Sequence, residues 1–274
     1  MSAASQGAAE AALSVSQGSS RLVRLGLSKL VERLGRVERP RWAVRAYLHR
    51  WVRKHGIDLD DFEVPEGGYR NFRDFHARPL KAGAREIDRE SRVVFPADGF
   101  ILHHGPIEDG RIGQVKGVDY SLRSLLEVTE PGELDHERYR YFVNLYLPME
   151  SCHRWYAPID GRLCREKAIR GEKFSLDLVS MAQHAGIYAK NERVVQELRN
   201  GETSLLLVAV GGIAATNIFR SHAKAPDEEV PVTRGTELGG FFLGSSLILL
   251  LPEGCEPVPL VSGETVRMGS PLVR

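Results

Sequence analysis

Residues 239–252, from Gly239 to Pro252, read GGFFLGSSLILLLP: two apolar, strand-like arms interrupted by Gly244, Ser245 and Ser246. Strand interiors avoid glycine, which packs nothing and costs chain entropy, so a glycine there marks a bulge, a bend or a close backbone contact. The flanks repeat the strand texture. From about residue 93 onward, short runs rich in branched and aromatic residues are punctuated by glycine and proline. They predict strands over 93–95, 100–102, 111–115, 141–147, 162–168, 204–210 and 247–251. Helical interruptions are expected over 121–127 and 177–185. The class that follows is α+β: a mostly antiparallel β core with N-terminal amphipathic helices and a few inserted helices.

The bulk chain is that of an ordinary globular protein, with 42% hydrophobic and 27% charged residues over 274 positions. A net charge of +1 argues against a globally basic nucleic-acid binder. The charge is uneven, however. Between Arg21 and Lys54 stand eleven Lys/Arg against only Glu32 and Glu38. In that segment Val23, Leu27, Leu30, Leu34 and Val37 fall on one helical stripe, with Arg24, Lys29, Arg33 and Arg36 off it. Pro40 ends the stripe, and a second helix over 42–55 carries Trp42, Tyr47 and Trp51. Such helices suit an anionic membrane surface, and equally a helix packed on its own domain with solvated arginines.

Cys152, Cys164 and Cys255 have neither metal-type nor redox-type spacing. Residues 1–20 have no apolar core of a signal peptide and predict a disordered leader. The expected organisation is that leader, a basic helical membrane-facing segment over 21–64, and a β-rich catalytic domain over 65–274.

Four clusters bear chemistry. FPADGF (95–100) holds Asp98 in a Pro-x-Asp-Gly turn, where a carboxylate can simply cap the backbone. NLYLPMESCHRWYAPIDG (144–161) holds His153 between a strand and a second such turn. GEKFS (171–175) and KNER (190–193) read alone as a loop and a solvated edge, and Gly244-Ser245 is the fourth. In this order, with YRNFRDFHARPLKAGAREID, VKGVDYSL, YAKNERV and LGGFFLGSS, the chain resembles phosphatidylserine decarboxylase over about residues 20–272.

That resemblance implies self-cleavage between Gly244 and Ser245. The Ser245 hydroxyl attacks the Gly244 carbonyl, amide becomes ester, elimination gives dehydroalanine, and hydrolysis leaves a pyruvoyl group and ammonia. The products are a large chain 1–244 and a small chain 245–274. The pyruvoyl group, with no metal and no pyridoxal phosphate, then forms a Schiff base with phosphatidylserine and acts as the electron sink as carbon dioxide leaves. Asp98 is the implied carboxylate of the self-cleavage relay, and His153 the implied acid/base of the substrate step. The implied setting is the cytoplasmic face of a cell membrane, bound peripherally, as a homodimer, and with phosphatidylethanolamine as product.

One position departs from the pattern. The family loop carries two histidines three residues apart, and the second, assigned to the relay, is here Tyr156. A phenol titrating near pH 10 is a poor base at neutral pH. His153 serving both steps, Tyr156 with a lowered pKa, or His103 or His104 standing in are the three ways to supply the base. Two other readings use the same residues: a scaffold that binds phospholipid without being cleaved, and a pyruvoyl decarboxylase of another amino substrate. A biotinyl- or lipoyl-carrier fold is disfavoured, because neither Pro-x-Asp-Gly turn contains a lysine.

Overall fold

A computed structural model of the chain describes residues 21–113, 119–130, 135–177, 185–201, 203–214, 217–222, 228–243 and 245–274. Gly244, Lys116, the expected leader and most of the helix expected over 177–185 lie outside the described residues.

Helices α1 (Arg21–Gly35) and α2 (Arg41–His55) come first, then the short α3 (Phe72–His76). Gly56 closes α2 in the left-handed conformation at φ 59°, where a side chain would be strained. Asn71 starts α3 by accepting the Asp74 N–H on its side chain at 2.8 Å. Strands β1 (Val93–Val94), β2 (Gly99–Pro106), β3 (Arg111–Gly113) and β4 (Asp119–Ser121) lead into α4 (Leu122–Leu126), capped by Ser121 as the pattern over 121–127 predicts. Next come β5 (Tyr139–Tyr146), β6 (Arg154–Tyr156), β7 (Gly161–Ile169) and α5 (Ile187–Lys190). The chain ends with β8 (Arg193–Asn200), β9 (Thr203–Gly211), β10 (Ile218–Arg220), β11 (Val230–Val232), β12 (Glu237–Phe241), β13 (Ser245–Pro252), β14 (Thr265–Val266) and β15 (Pro271–Val273).

Eight strands form one sheet in the order β11-β7-β8-β9-β13-β5-β2-β14, every neighbour antiparallel. β13 is central and buried along its whole length, which is why it reads as a continuous apolar run rather than an alternation. Its odd residues Leu247, Leu249 and Leu251 enter one core with Val143, Leu145 and Leu207. Its even residues Ile248 and Leu250 enter a second core with Phe142, Leu206 and Val208. A three-stranded sheet, β10-β12-β6, supplies Trp155, Leu238 and Phe241 to the first core.

The two arms of the opening stretch therefore lie in different sheets. β12 ends at Phe241 in the small sheet and β13 begins at Ser245 in the large one, so the chain changes sheet between them rather than bulging within one strand. Gly239 and Gly240 are there for closeness. A Cβ on Gly239 would stand 2.4 Å from the Trp155 ring, and one on Gly240 would stand 2.3 Å from the Phe219 ring.

Helix α1 turns its apolar side outward, whereas α2 packs Val44, Leu48 and Val52 into a small core of their own. On α1 the inner face is polar: Arg24 pairs with Glu172 (3.2 Å) and lies over the Phe174 ring, while Glu32 pairs with Arg73 (3.2 Å). Leu22, Val23, Leu30 and Leu34 are exposed, as is Val37 just beyond the helix. Of the three aromatics of α2, only Trp42 faces out, at 75% exposure, whereas Tyr47 and Trp51 pack on Phe72. Among the described residues no helix is long and apolar enough to cross a membrane.

Candidate functional site

The register of the large sheet aligns three motifs. Ser245, the first residue of β13, lies opposite Gly211, the last of β9. Ser246 lies opposite Tyr146 of β5, and Tyr146 lies opposite Phe100 of β2. One step along, Gly99 sits so close to β5 that a Cβ would meet the Tyr146 carbonyl at 2.5 Å. The Asp98 turn is thus two strands from Ser245, roughly 10 Å between backbones.

Ser245 shares the odd-numbered face of β13, the side on which β6 and β12 lie. Its hydroxyl is buried and has no hydrogen-bond partner among the described residues. Ser246 points to the opposite face. The segment just before the junction is held by Asn217, whose carbonyl accepts the Phe242 N–H (2.8 Å) and whose side-chain Oδ1 accepts the Leu243 N–H (2.6 Å). Gly211 is fixed from the other side, where the Asn191 amide donates to its carbonyl at 2.9 Å.

His153 lies just before β6, in a loop as expected, and is buried. Its Nδ1 stands 3.1 Å from the Ser151 carbonyl, which can only accept, so Nδ1 carries the proton and Nε2 the lone pair. The backbone carbonyl of His153 accepts the Phe241 N–H at 2.8 Å, tying this loop to the end of β12. The loop is braced by Arg78, also buried, which donates to the carbonyls of Glu150 (2.8 Å) and Ser151 (3.0 Å). Burial first, and the Arg78 cation second, push the His153 imidazole down to about 3, with the carbonyls of Ser151 and Leu147 partly opposing the shift. Its ring also meets that of His76, the last residue of α3, at 3.7 Å between centroids.

Asp98 is held by charge. Arg85 donates to both its oxygens, at 2.7 Å to Oδ2 and 3.0 Å to Oδ1, and the Met268 N–H donates to Oδ1 at 2.9 Å. Among the described residues neither a histidine nor a phenol bonds to it. Tyr156 is buried in a cluster with Phe62, Cys152 and Met268, and its phenol stands 3.8 Å from the Cys152 sulfur. Burial raises the Tyr156 pKa far above its ordinary value, with the Cys152 thiol adding to the shift. That is the reverse of the lowered value a basic phenol needs. Burial likewise pushes the Cys152 thiol up to about 11, with the Asp98 carboxylate adding to it.

His103 and His104 are on β2 but point elsewhere in the sheet. His103 lies opposite Asn144, itself opposite Ile248. Three residues along and two strands across put it about 14 Å from Ser245. His104 Nδ1 lies 3.0 Å from the Tyr141 hydroxyl. Residues 190–193 are committed to structure: Lys190 donates to the Ala185 carbonyl, and Arg193 to the carbonyls of Ser124, Leu125 and Asn191. Among the described residues no group of three His, Cys, Asp or Glu is placed to hold a metal ion.

Sequence reasoning did not single out His76, Arg78, Arg85 or Asn217. Arg78 and Arg85 stood in plain view inside YRNFRDFHARPLKAGAREID, but their partners lie 72 to 73 and 13 positions away.

Comparison with known proteins supplies the chemical context. The family model for phosphatidylserine decarboxylase matches residues 72–274. The chain is 32% identical over 260 residues to the phosphatidylserine decarboxylase proenzyme of Psychrobacter arcticus, covering 90% of this chain and 93% of that one. It is 34% identical over 265 residues to the proenzyme of Methylibium petroleiphilum, covering 87% and 90%. Against the proenzyme of an Anaeromyxobacter species it is 33% identical over 272 residues, covering 92% and 94%.

Proposed function

The chain belongs to the phosphatidylserine decarboxylase family, and we propose that it matures by cleaving its own Gly244-Ser245 bond and then converts phosphatidylserine to phosphatidylethanolamine. The observation that carries this reading is the Ser245 hydroxyl. It is buried at the head of the central strand, at a change of sheet, with no partner among the described residues. An unsatisfied buried hydroxyl costs about 1–3 kcal/mol; the Ser28 hydroxyl shares that condition, and it is the position at the head of β13, following Gly244, that sets Ser245 apart.

Within this reading His153 is the base for maturation. It takes the Ser245 proton on Nε2, the nitrogen left with a lone pair when Nδ1–H faces the Ser151 carbonyl. The freed oxygen attacks the Gly244 carbonyl, and the proton passes to the departing amide nitrogen. Elimination and hydrolysis follow, releasing ammonia. Supporting His153 over the alternatives are the strongly raised Tyr156 pKa and the distance of His103. Asp98 acts as the carboxylate of the site, holding the β2 turn in register with Ser245 through Arg85 and Met268.

The pyruvoyl group formed from Ser245 supplies the electron sink for loss of carbon dioxide. The residues fit it: the position is enclosed, and the neighbouring imidazole is neutral, able to donate from Nδ1 and accept on Nε2. His153 then holds or delivers the proton that replaces the lost carboxylate.

The outward apolar stripe of α1, flanked by Lys29, Arg33 and Arg36, supports docking on an anionic membrane from its cytoplasmic side. We assign this to the segment 21–64 and catalysis to 65–274, with the processed chains acting as a homodimer.

Intact mass under denaturing conditions tests the reading. Two species, 1–244 and 245–274 with a pyruvoyl-blocked end, are expected from the wild type, and one 30.5 kDa chain from Ser245→Ala. A wild type that stays whole after long incubation with membranes overturns it in favour of a phospholipid-binding member without turnover.

A further inference from the structure

His76 is fully buried, and neither of its ring nitrogens has a hydrogen-bond partner among the described residues. A neutral imidazole always carries one N–H donor and one lone pair, so both are stranded, each at the cost of burying a polar atom without a hydrogen bond. Packing alone does not call for this. The neighbouring rings on its helix are Phe72 and Phe75, and a phenylalanine would fill the same space without stranded polar atoms. The His76 ring faces that of His153, with centroids 3.7 Å apart at 45°.

The need for a second nitrogen follows from the base itself. A proton arriving on His153 Nε2 creates an imidazolium in a closed space, with the Arg78 cation nearby and only the backbone carbonyls of Ser151 and Leu147 opposing the charge penalty. Among the described residues no carboxylate hydrogen-bonds to this ring, and Tyr156 is turned to Cys152. The His76 ring, tilted against it with centroids 3.7 Å apart, brings two further nitrogens to it.

We infer that His76 is the second histidine of this site, a positioning residue whose unprotonated nitrogen accepts the Nδ1–H of His153 when Nε2 takes the proton from Ser245. With the ring centroids only 3.7 Å apart, the contact asks for a ring rotation in place rather than a movement of the chain. No proton leaves the pair in this step: the Ser245 O–H bond breaks, the His153 Nε2–H bond forms, and the same proton passes on to the departing amide. The transient charge is spread over two imidazoles instead of one. The inference rests on self-cleavage at Ser245 and on His153 as its base.

The test is a double-mutant cycle on the full chain, read as the rate of Gly244-Ser245 cleavage by intact mass. His76→Phe preserves the volume and removes both nitrogens, and His76→Asn is measured alongside in case the former does not fold. Either variant, with a wild-type melting temperature, is expected to cleave about tenfold to a hundredfold more slowly, the scale of a partial loss of acid–base assistance. Because His76 acts through His153, adding the change to His153→Ala is expected to cost nothing further. Cleavage of both His76 variants within about twofold of the wild-type rate overturns the inference, as does a loss that multiplies in full on top of His153→Ala. A wild type that does not cleave at all overturns the underlying reading instead.

Discussion

Around Asp98 every charge is answered: Arg85 bonds both oxygens and the Met268 amide fills a remaining lone pair. Elsewhere in the candidate site polar atoms are left over. Among the described residues the Ser245 hydroxyl and both His76 nitrogens are buried without hydrogen-bond partners, and a guanidinium rather than a carboxylate attends the His153 imidazole. Satisfied buried groups fix a shape, because removing one strands the other. Unsatisfied ones contribute nothing to stability and are retained where chemistry needs a free donor or lone pair. Under the proposed reading, the first centre serves geometry and the second proton movement.

The sharpest way to break this contrast is His153→Ala, expected to slow maturation by about a hundredfold to ten-thousandfold, the usual cost of a lost general base. Measured on wild type, the rate should stay flat from pH 8 to 5. A folded pKa of about 3 keeps the imidazole unprotonated throughout, whereas an ordinary histidine would lose activity below about 6.5. The same shift has a stability consequence of definite sign. The unfolded chain binds a proton near 6.5 that the folded one refuses until about 3, so stability falls as pH drops through that window.

Asp98→Asn comes next. It removes the countercharge of buried Arg85, and a fold loss of about 3–5 kcal/mol in denaturant titration is expected. Slower cleavage in the fraction that still folds measures whatever part the carboxylate has in the relay. If the variant is as stable as wild type yet hardly cleaves, the division between the two centres is wrong.

On the membrane side, Leu30→Glu with Leu34→Glu on the outer face of α1 should lower partition onto anionic vesicles at least tenfold, since each buried leucine contributes about 1.5–3 kcal/mol. Cleavage is expected to be unchanged. The smallest effect belongs to Tyr156→Phe, which removes a hydroxyl whose neighbour is Cys152. Maturation within about threefold of wild type is expected; a loss approaching that of His153→Ala would return the phenol to the relay.

Much of the fold was legible because it is written in periodicity. Strands over 141–147, 162–168 and 204–210 match β5, β7 and β9 to within two residues at either end, and Ser121 caps α4 where its motif begins. β8 was not legible: RVVQELRN mixes charges into a strand buried on both faces, with Arg193 accommodated by the distant Leu125 carbonyl and Glu197 by the Ser204 hydroxyl across the β8–β9 pairing. Nor was the change of sheet at Ser245, since the glycines of β12 owe their place to Trp155 and Phe219, which no local pattern reveals. The site divides in the same way. The candidates Asp98, His153 and Ser245 come from motifs, whereas His76 meets His153 across 77 positions of chain and becomes a candidate only through that contact.

β13 lies in the middle of the large sheet, zipped to β9 on one side and β5 on the other. Both of those strands precede residue 244. A nick at Ser245 therefore frees no strand, because what held the last thirty residues was never the peptide bond but two rows of hydrogen bonds and two apolar cores. It does change the kind of reaction that unfolding is. For the intact chain, refolding is unimolecular; for the nicked protein it is the meeting of two molecules, and the midpoint of denaturation becomes dependent on protein concentration. A mature enzyme of this design assembles once, from a precursor, and holds its shape thereafter as a complex of two chains.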